Sequence, residues 1–189
     1  MEHDTPEKPA ADGAPRDDHG RGPGRRALLV CSPGGHLQQM LALRPAWQEF
    51  EVSWATLSGY DVEHILADEQ VAIAHGPTNR SLVKLARNLV FAHRLLRRRR
   101  PDVILSTGAG LAVPMFVVGR LLGIHLVYVE SLTRTRGLSL SGRLVAPLAH
   151  EMFVQWPNAV AGRARYVGGS ILTQGTPTQP VAVEDAVSA

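Results

Sequence analysis

At 189 residues the chain suits one domain or a lean pair, taking about 150 residues per domain. With 44% hydrophobic and 20% charged residues it reads as a globular protein with disordered ends, neither wholly disordered nor fibrous. The lone cysteine, Cys31, excludes an internal disulfide and any cysteine-based zinc cluster, and fits a reducing compartment. No apolar h-region follows Met1, so no signal peptide is expected, and the longest apolar run, Leu111 to Gly119, is far short of the roughly 18 residues of a membrane span.

Residues 1–26 hold five basic and six acidic side chains among Pro, Gly and Asp, which predicts a disordered tail. From there short apolar runs alternate with amphipathic ones. Ala27–Cys31 reads as a strand, His36–Arg44 as a helix that Pro45 ends or bends, Glu51–Leu57 as a strand and Asp61–Asp68 as a helix. Val71–Ala74, Val103–Ser106, His125–Val129, Met152–Val154 and Arg165–Val167 are further strands, with helices expected at Ser81–Arg99, Leu111–Leu122 and Ser141–His150. The alternation predicts an α/β fold, a doubly wound parallel sheet (Rossmann-like), over residues 27–172. Residues 173–189, rich in Thr, Pro, Gln and Ala, are expected to be a flexible C-terminal tail.

In such sheets ligands sit beyond the carboxyl ends of the strands. Three strand ends carry chemistry there. The first strand runs into Ser32-Pro33-Gly34-Gly35-His36 and then a helix, where glycines allow close approach and the helix start offers N–H groups to phosphate. The strand at 103–106 runs into Thr107-Gly108-Ala109-Gly110, a second turn of the same kind, and a facing pair would suit a diphosphate. The strand at 125–129 delivers the carboxylate of Glu130. His36 reads as a general base or as a neutral donor to phosphate. Each glycine turn alone could equally be a tight strand-to-helix connection. A dinucleotide fingerprint is not met, because Val113 holds the place of the third glycine. The other histidines lack ligand spacing, so no metal is expected.

Residues 27–172 carry 15 basic and 9 acidic side chains, and eight of the basic ones lie between Arg80 and Arg100 without an acidic neighbour. Leu82, Leu85, Leu89, Ala92 and Leu96 form a core-facing stripe; Arg80, Lys84, Arg87, Arg94 and Arg98 line the other side, with Phe91 among them and Leu95 at the margin. Cations around an embedded aromatic suit an anionic membrane surface, making Lys84, Arg87, Phe91, Arg94 and Arg98 the expected membrane-facing set. A merely solvated helix face is the plainer reading. No base-reading motif is present and aromatics make up only 5%, which argues against a nucleic-acid partner.

Further motifs carry a resemblance. They are Cys31 to Leu37, Asp102-Val103-Ile104 running into Ser106 to Gly110 with Pro114, Tyr128-Val129-Glu130-Ser131, Arg136, Ser139, Gly142-Arg143, Met152 to Pro157 and Tyr166-Val167-Gly168. Over about residues 27–170 the chain resembles the membrane-anchoring subunit family of the two-subunit dolichyl-diphosphate UDP-N-acetylglucosamine transferase, together with bacterial PssD and CpsF type subunits of exopolysaccharide and capsule synthesis. That family is similar to the N-terminal, acceptor-binding half of GT-B glycosyltransferases such as MurG. Here Ser32-Pro33 stand where the MurG loop has Gly and Thr, and only the carboxylate of Glu130 matches MurG's His-Glu-Gln-Asn.

The resemblance implies a polyprenyl-diphosphate-linked acceptor held by this chain, and a small partner subunit binding the UDP-sugar, UDP-GlcNAc or a related hexose, with no other cofactor. The expected site is His36 and Glu130 as catalytic groups, with Gly34, Gly35, Thr107, Gly108, Gly110, Arg134 and Arg136 at the acceptor diphosphate. The expected place is peripheral, on the cytoplasmic face of the plasma membrane. Two alternatives stay open: a non-catalytic membrane scaffold recruiting a separate transferase, and a self-sufficient nucleotide-sugar enzyme such as an epimerase, which the chain length opposes.

Overall fold

A computed structural model describes residues 24–76 and 82–167. Most of the expected N-terminal tail, the C-terminal tail, Arg80, Ser81 and Gly168 lie outside the described residues. In chain order the elements are β1 (Arg26–Val30), α1 (Gly35–Ala42), α2 (Arg44–Trp47), β2 (Glu51–Thr56), α3 (Tyr60–Ile65), β3 (Val71–Ile73) and α4 (Leu82–Arg99). There follow β4 (Val103–Ser106), α5 (Ala112–Leu121), β5 (His125–Val129), α6 (Leu140–Val145), β6 (Glu151–Val154), a 3-10 turn at Pro157–Ala159 and β7 (Arg165–Tyr166).

The seven strands form one sheet in the order β3-β2-β1-β4-β5-β6-β7, and every neighbouring pair is parallel. Strand side chains alternate between two core layers, as a period of two requires. From β1 and the residue after it, Leu28 and Val30 enter the layer under α4, α5 and α6, while Ala27, Leu29 and Cys31 enter the layer under α1, α2 and α3. Helices therefore cover both faces, and the near-continuous apolar character of the central strands follows from that double burial. Helix α5 lies close on the sheet because Gly119 has no side chain: a Cβ there would meet Ile104 Cδ1 at 2.8 Å and Leu126 Cδ2 at 2.9 Å. Trp47 and Trp54 pack edge to face, 5.7 Å between ring centres, in the other layer.

Three expected helices stop two or more residues before their patterns do. The first ends at Ala42, and Pro45 opens the short α2, since a first-turn residue needs no N–H partner. Helix α3 stops at Ile65. Helix α6 stops at Val145, because Pro147 has no N–H to return to Arg143.

Helix α4 needs a correction of its buried face. Asn88, Ala92, Leu95 and Leu96 are buried, whereas Leu85 is 39% exposed. The core-facing stripe is thus rotated toward Leu95, and Asn88 explains the rotation: its amide bonds both His75 N and His75 O at 3.0 Å, pinning the helix to the end of β3. Phe91 is half-buried, edge-on to His75 and packed on the core. The apolar groups that α4 leaves outside are Val83, Leu85 and Val90.

Candidate functional site

The chain builds β1, β2 and β3 toward one side, then crosses back to lay β4 on the other side of β1. The carboxyl ends of β1 and β4 therefore diverge into separate turns, and the crevice between them is the place such a sheet offers a ligand. Both glycine turns of the sequence open there.

The two turns are latched together. His36 Nδ1 lies 2.8 Å from the Thr107 carbonyl, and the Thr107 hydroxyl donates to the His36 carbonyl at 2.8 Å. A carbonyl only accepts, so Nδ1 carries a proton, and the tautomer this contact selects has its lone pair on Nε2. That is the tautomer a general base needs. Gly108, at φ +115°, has no room for a side chain: a Cβ would stand 2.9 Å from His36 Cε1 and 3.2 Å from the Tyr128 hydroxyl. The glycine lets the imidazole lie directly on the second turn.

The phosphate-cradle expectation divides between residues. Gly34 adopts φ +77° and its N–H donates to Asp61 Oδ2 at 2.6 Å. The Gly108 N–H donates to Ser106 Oγ at 3.1 Å. Both donors already have an acceptor within the chain, so the groups left to an anion at α1 are the first-turn N–H groups of Gly35, His36 and Leu37. Gly35 is exposed; Gly110 sits half-buried in the second turn.

Glu130 is 1% exposed, and its carboxylate is taken up by the chain itself. It accepts from Ser131 N at 2.9 Å, Ser139 N at 2.9 Å and Ser139 Oγ at 3.1 Å. Ser139 in turn caps α6, its hydroxyl accepting from Gly142 N at 3.0 Å. Gly142 is required beneath it, because a Cβ would come within 2.3 Å of Glu130 Oε2. The carboxylate thus clasps both ends of the 131–139 loop. Tyr128 joins the clasp to the crevice, its hydroxyl 3.4 Å from Ser139 Oγ. Burial, and then the Glu130 charge, push the Tyr128 phenol up from its ordinary range, while the Ser139 bond and the Arg134 charge pull the other way.

That loop carries Arg134 and Arg136, both exposed. Arg134 is near enough to act on Tyr128 electrostatically. The sequence did not single out the side chains that fix the loop. Gln39, buried on α1, donates to the Glu130 carbonyl at 2.9 Å and accepts from Leu132 N at 3.1 Å, and Trp156 Nε1 donates to the Leu132 carbonyl at 2.7 Å. A glutamine between Leu37 and Met40 on the core face of α1 was the available signal. Asp61 was also missed; in the first turn of α3, it is a half-exposed carboxylate bonded to the first glycine turn.

The structure therefore brings together His36, Thr107 and Gly108, links Glu130 to them through Tyr128 and Ser139, and sets Arg134 and Arg136 on the adjoining loop. Lys84, Arg87, Phe91, Arg94 and Arg98 form a separate surface on α4. Of these Arg87, Phe91, Arg94 and Arg98, with β3, line a groove of about 880 Å³ whose apolar wall includes Val71, Ala72, Val83, Val90 and Phe91. Among the described residues no helix is long and apolar enough to cross a membrane, and no group of three or more His, Cys, Asp or Glu could hold a metal.

One doubly wound unit with its crevice between two glycine turns defines the class: a Rossmann-like half of the GT-B type. The MurG of Acinetobacter baumannii shares the fold at TM-score 0.64 and 18% identity, over 75% of this chain and 44% of that one. The chain belongs to the Alg14-like family of oligosaccharide biosynthesis proteins, whose family pattern matches residues 72–172. A UDP-N-acetylglucosamine transferase subunit ALG14 from Eremothecium gossypii is 34% identical, over 82% of this chain and 84% of that relative. A UDP-N-acetylglucosamine–N-acetylmuramyl-(pentapeptide) pyrophosphoryl-undecaprenol N-acetylglucosamine transferase of Halorhodospira halophila is 30% identical over 78% of this chain, which spans only 44% of it. The family is one of glycosyltransferase subunits.

Proposed function

We propose that this chain is the acceptor-binding subunit of a two-component glycosyltransferase, working on a polyprenyl-diphosphate-linked acceptor while a separate small subunit binds the UDP-sugar, UDP-GlcNAc or a related hexose. The observation that carries the reading is the latch, which fixes His36 with Nδ1 donating and Nε2 open at the β1/β4 crevice. In the reaction His36 Nε2 takes the proton of the attacking acceptor hydroxyl. That oxygen bonds to the anomeric carbon, and the bond from this carbon to the diphosphate breaks, releasing UDP. The acceptor diphosphate lies on the Gly34-Gly35 turn, beside Thr107, Gly108 and Gly110, with Arg134 and Arg136 offering guanidinium forks to its oxygens. The site is completed at the subunit interface, a common setting for small-ligand clefts.

Attachment rests on α4, where Val83, Leu85 and Val90 stand exposed near Lys84, Arg87, Arg94 and Arg98. This fits peripheral binding to an anionic leaflet on the cytoplasmic face. The test is transfer of label from UDP-sugars to extracted polyprenyl-diphosphate acceptors, with the chain alone and with its co-purifying subunit. Transfer is expected only with the partner, and His36→Ala is expected to lower it by about 10²- to 10⁴-fold without breaking assembly. Full activity in that variant refutes the base and favours a scaffold that only recruits the transferase.

A further inference from the structure

Tyr60 is 77% exposed, yet its ring is braced by a neighbour. Its ring stacks against His64 one turn on, 4.0 Å between ring centres and tilted by 34°, and His64 Nδ1 donates to the Tyr60 carbonyl at 2.8 Å. One face of the phenol is therefore backed by the imidazole and the other is open. The neighbouring residue is Asp61, whose Oδ2 accepts from Gly34 N at 2.6 Å, so the start of α3 stands beside the first glycine turn. Gly59 locks the two segments: a Cβ on it would lie 2.8 Å from the Pro33 ring and 2.9 Å from Asp61 Oδ1.

We propose that Tyr60 and Asp61 form the subsite for the acceptor's sugar ring, Tyr60 stacking on the apolar face of a pyranose and Asp61 accepting its hydroxyl hydrogens. The proposal rests on the acceptor-binding reading above, which places the diphosphate on the Gly34-Gly35 turn; the sugar one bond away then reaches the ring. A backed aromatic with one open face loses little freedom on stacking. A carboxylate has lone pairs for several donors, so Asp61 keeps its bond to Gly34 while taking hydroxyls. A partner-protein contact fits less well, since interface centres are depleted in acidic residues and the first turn of α3 carries Asp61 and Glu63.

The test uses the full chain with its partner subunit and short-prenyl diphosphate sugars as acceptors, comparing Tyr60→Ala, Tyr60→Phe and Asp61→Asn. The expected result is an acceptor KM raised about two- to tenfold by Tyr60→Ala, the range an aromatic contact is worth. Tyr60→Phe should restore it, kcat and the donor KM should stay within about twofold of the parent, and Asp61→Asn should raise the acceptor KM as well. Saturation-transfer NMR on the same acceptors should show the sugar protons against Tyr60 and lose them in Tyr60→Ala. A normal acceptor KM in Tyr60→Ala, in a complex that still transfers, overturns the subsite and leaves the acceptor reading standing. Weakened subunit assembly with an unchanged acceptor KM also overturns it and makes Tyr60 a partner contact. A parent complex that neither binds nor turns over any of these acceptors overturns the reading beneath it.

Discussion

Replacing Glu130 with Gln keeps the side chain's size and removes its charge, which isolates what the clasp contributes. The carboxylate accepts one N–H on Oε1 and an N–H plus a hydroxyl on Oε2. An amide placed there keeps its oxygen on one side and must aim an NH₂ at a donor on the other. With the oxygen toward Ser139, the Ser131 N–H loses its acceptor and meets a second donor. A charge-assisted bond is worth about 1.5–3 kcal/mol, and an N–H left buried costs a similar amount, with the loop relaxing to recover part of it. The expected loss is about 2–3 kcal/mol. Glu130→Ala removes all three bonds and leaves a void, for about 4 kcal/mol or more. Urea unfolding measures this: at a slope of about 2 kcal/mol per molar, Glu130→Gln should move the midpoint down by about 1–1.5 M with the slope unchanged. In the assembled complex the variant should lose less turnover than His36→Ala, because the loop is loosened and His36, the proposed base, is intact. A stability change below about 0.5 kcal/mol, together with turnover as low as in His36→Ala, would refute the clasp and put the carboxylate on the substrate.

Gly108→Ala forces a Cβ toward His36 at a φ of +115°, so we expect a loss of about 1–3 kcal/mol in urea unfolding and a marked fall in transfer as the imidazole is displaced. Burial pushes the Cys31 thiol up to about 12 from 9.0, so between pH 9 and 12 the unfolded chain releases a proton that the folded one keeps. Stability present below pH 9 should therefore fall by about 1.4 kcal/mol per pH unit across that window, and less steeply in Cys31→Ala. Native Cys31 should also resist alkylation at pH 8 until urea is added. Binding to anionic vesicles should drop about 30-fold when Arg94 and Arg98 are both made Ala, at about 1 kcal/mol per cation, and should weaken in high salt; sedimentation that is unchanged would remove α4 as the membrane face.

The strands were the most legible part of the sequence. Val103–Ser106 and His125–Val129 coincide with β4 and β5, because strands buried on both faces must be apolar along their whole length. Helix ends were less legible, since Ala42, Ile65 and Val145 end helices within patterns that continue beyond them. The face of α4 was misjudged where a polar side chain decided it: Asn88 is buried by its bonds to His75, which no hydrophobic period encodes. The glycine turns and His36 were visible as types at strand ends. Their reciprocal bonding was not, because the His36–Thr107 contact joins residues 71 positions apart. Glu130 was visible as a carboxylate, while its engagement by Ser131 and Ser139 depends on how the loop folds back.

The position of β1 bears on how the protein is made. Among the described strands it is the first to be synthesised, yet Val30 waits for Ala55 on one side and for Ser106 on the other. While α4 and its cationic run are being synthesised, one edge of Ala27-Leu28-Leu29-Val30 has no partner. An unpaired apolar edge held open for that long is where nascent chains stick to one another. Slow decoding or chaperone shortage should therefore harm this chain at translation, before the sheet is complete.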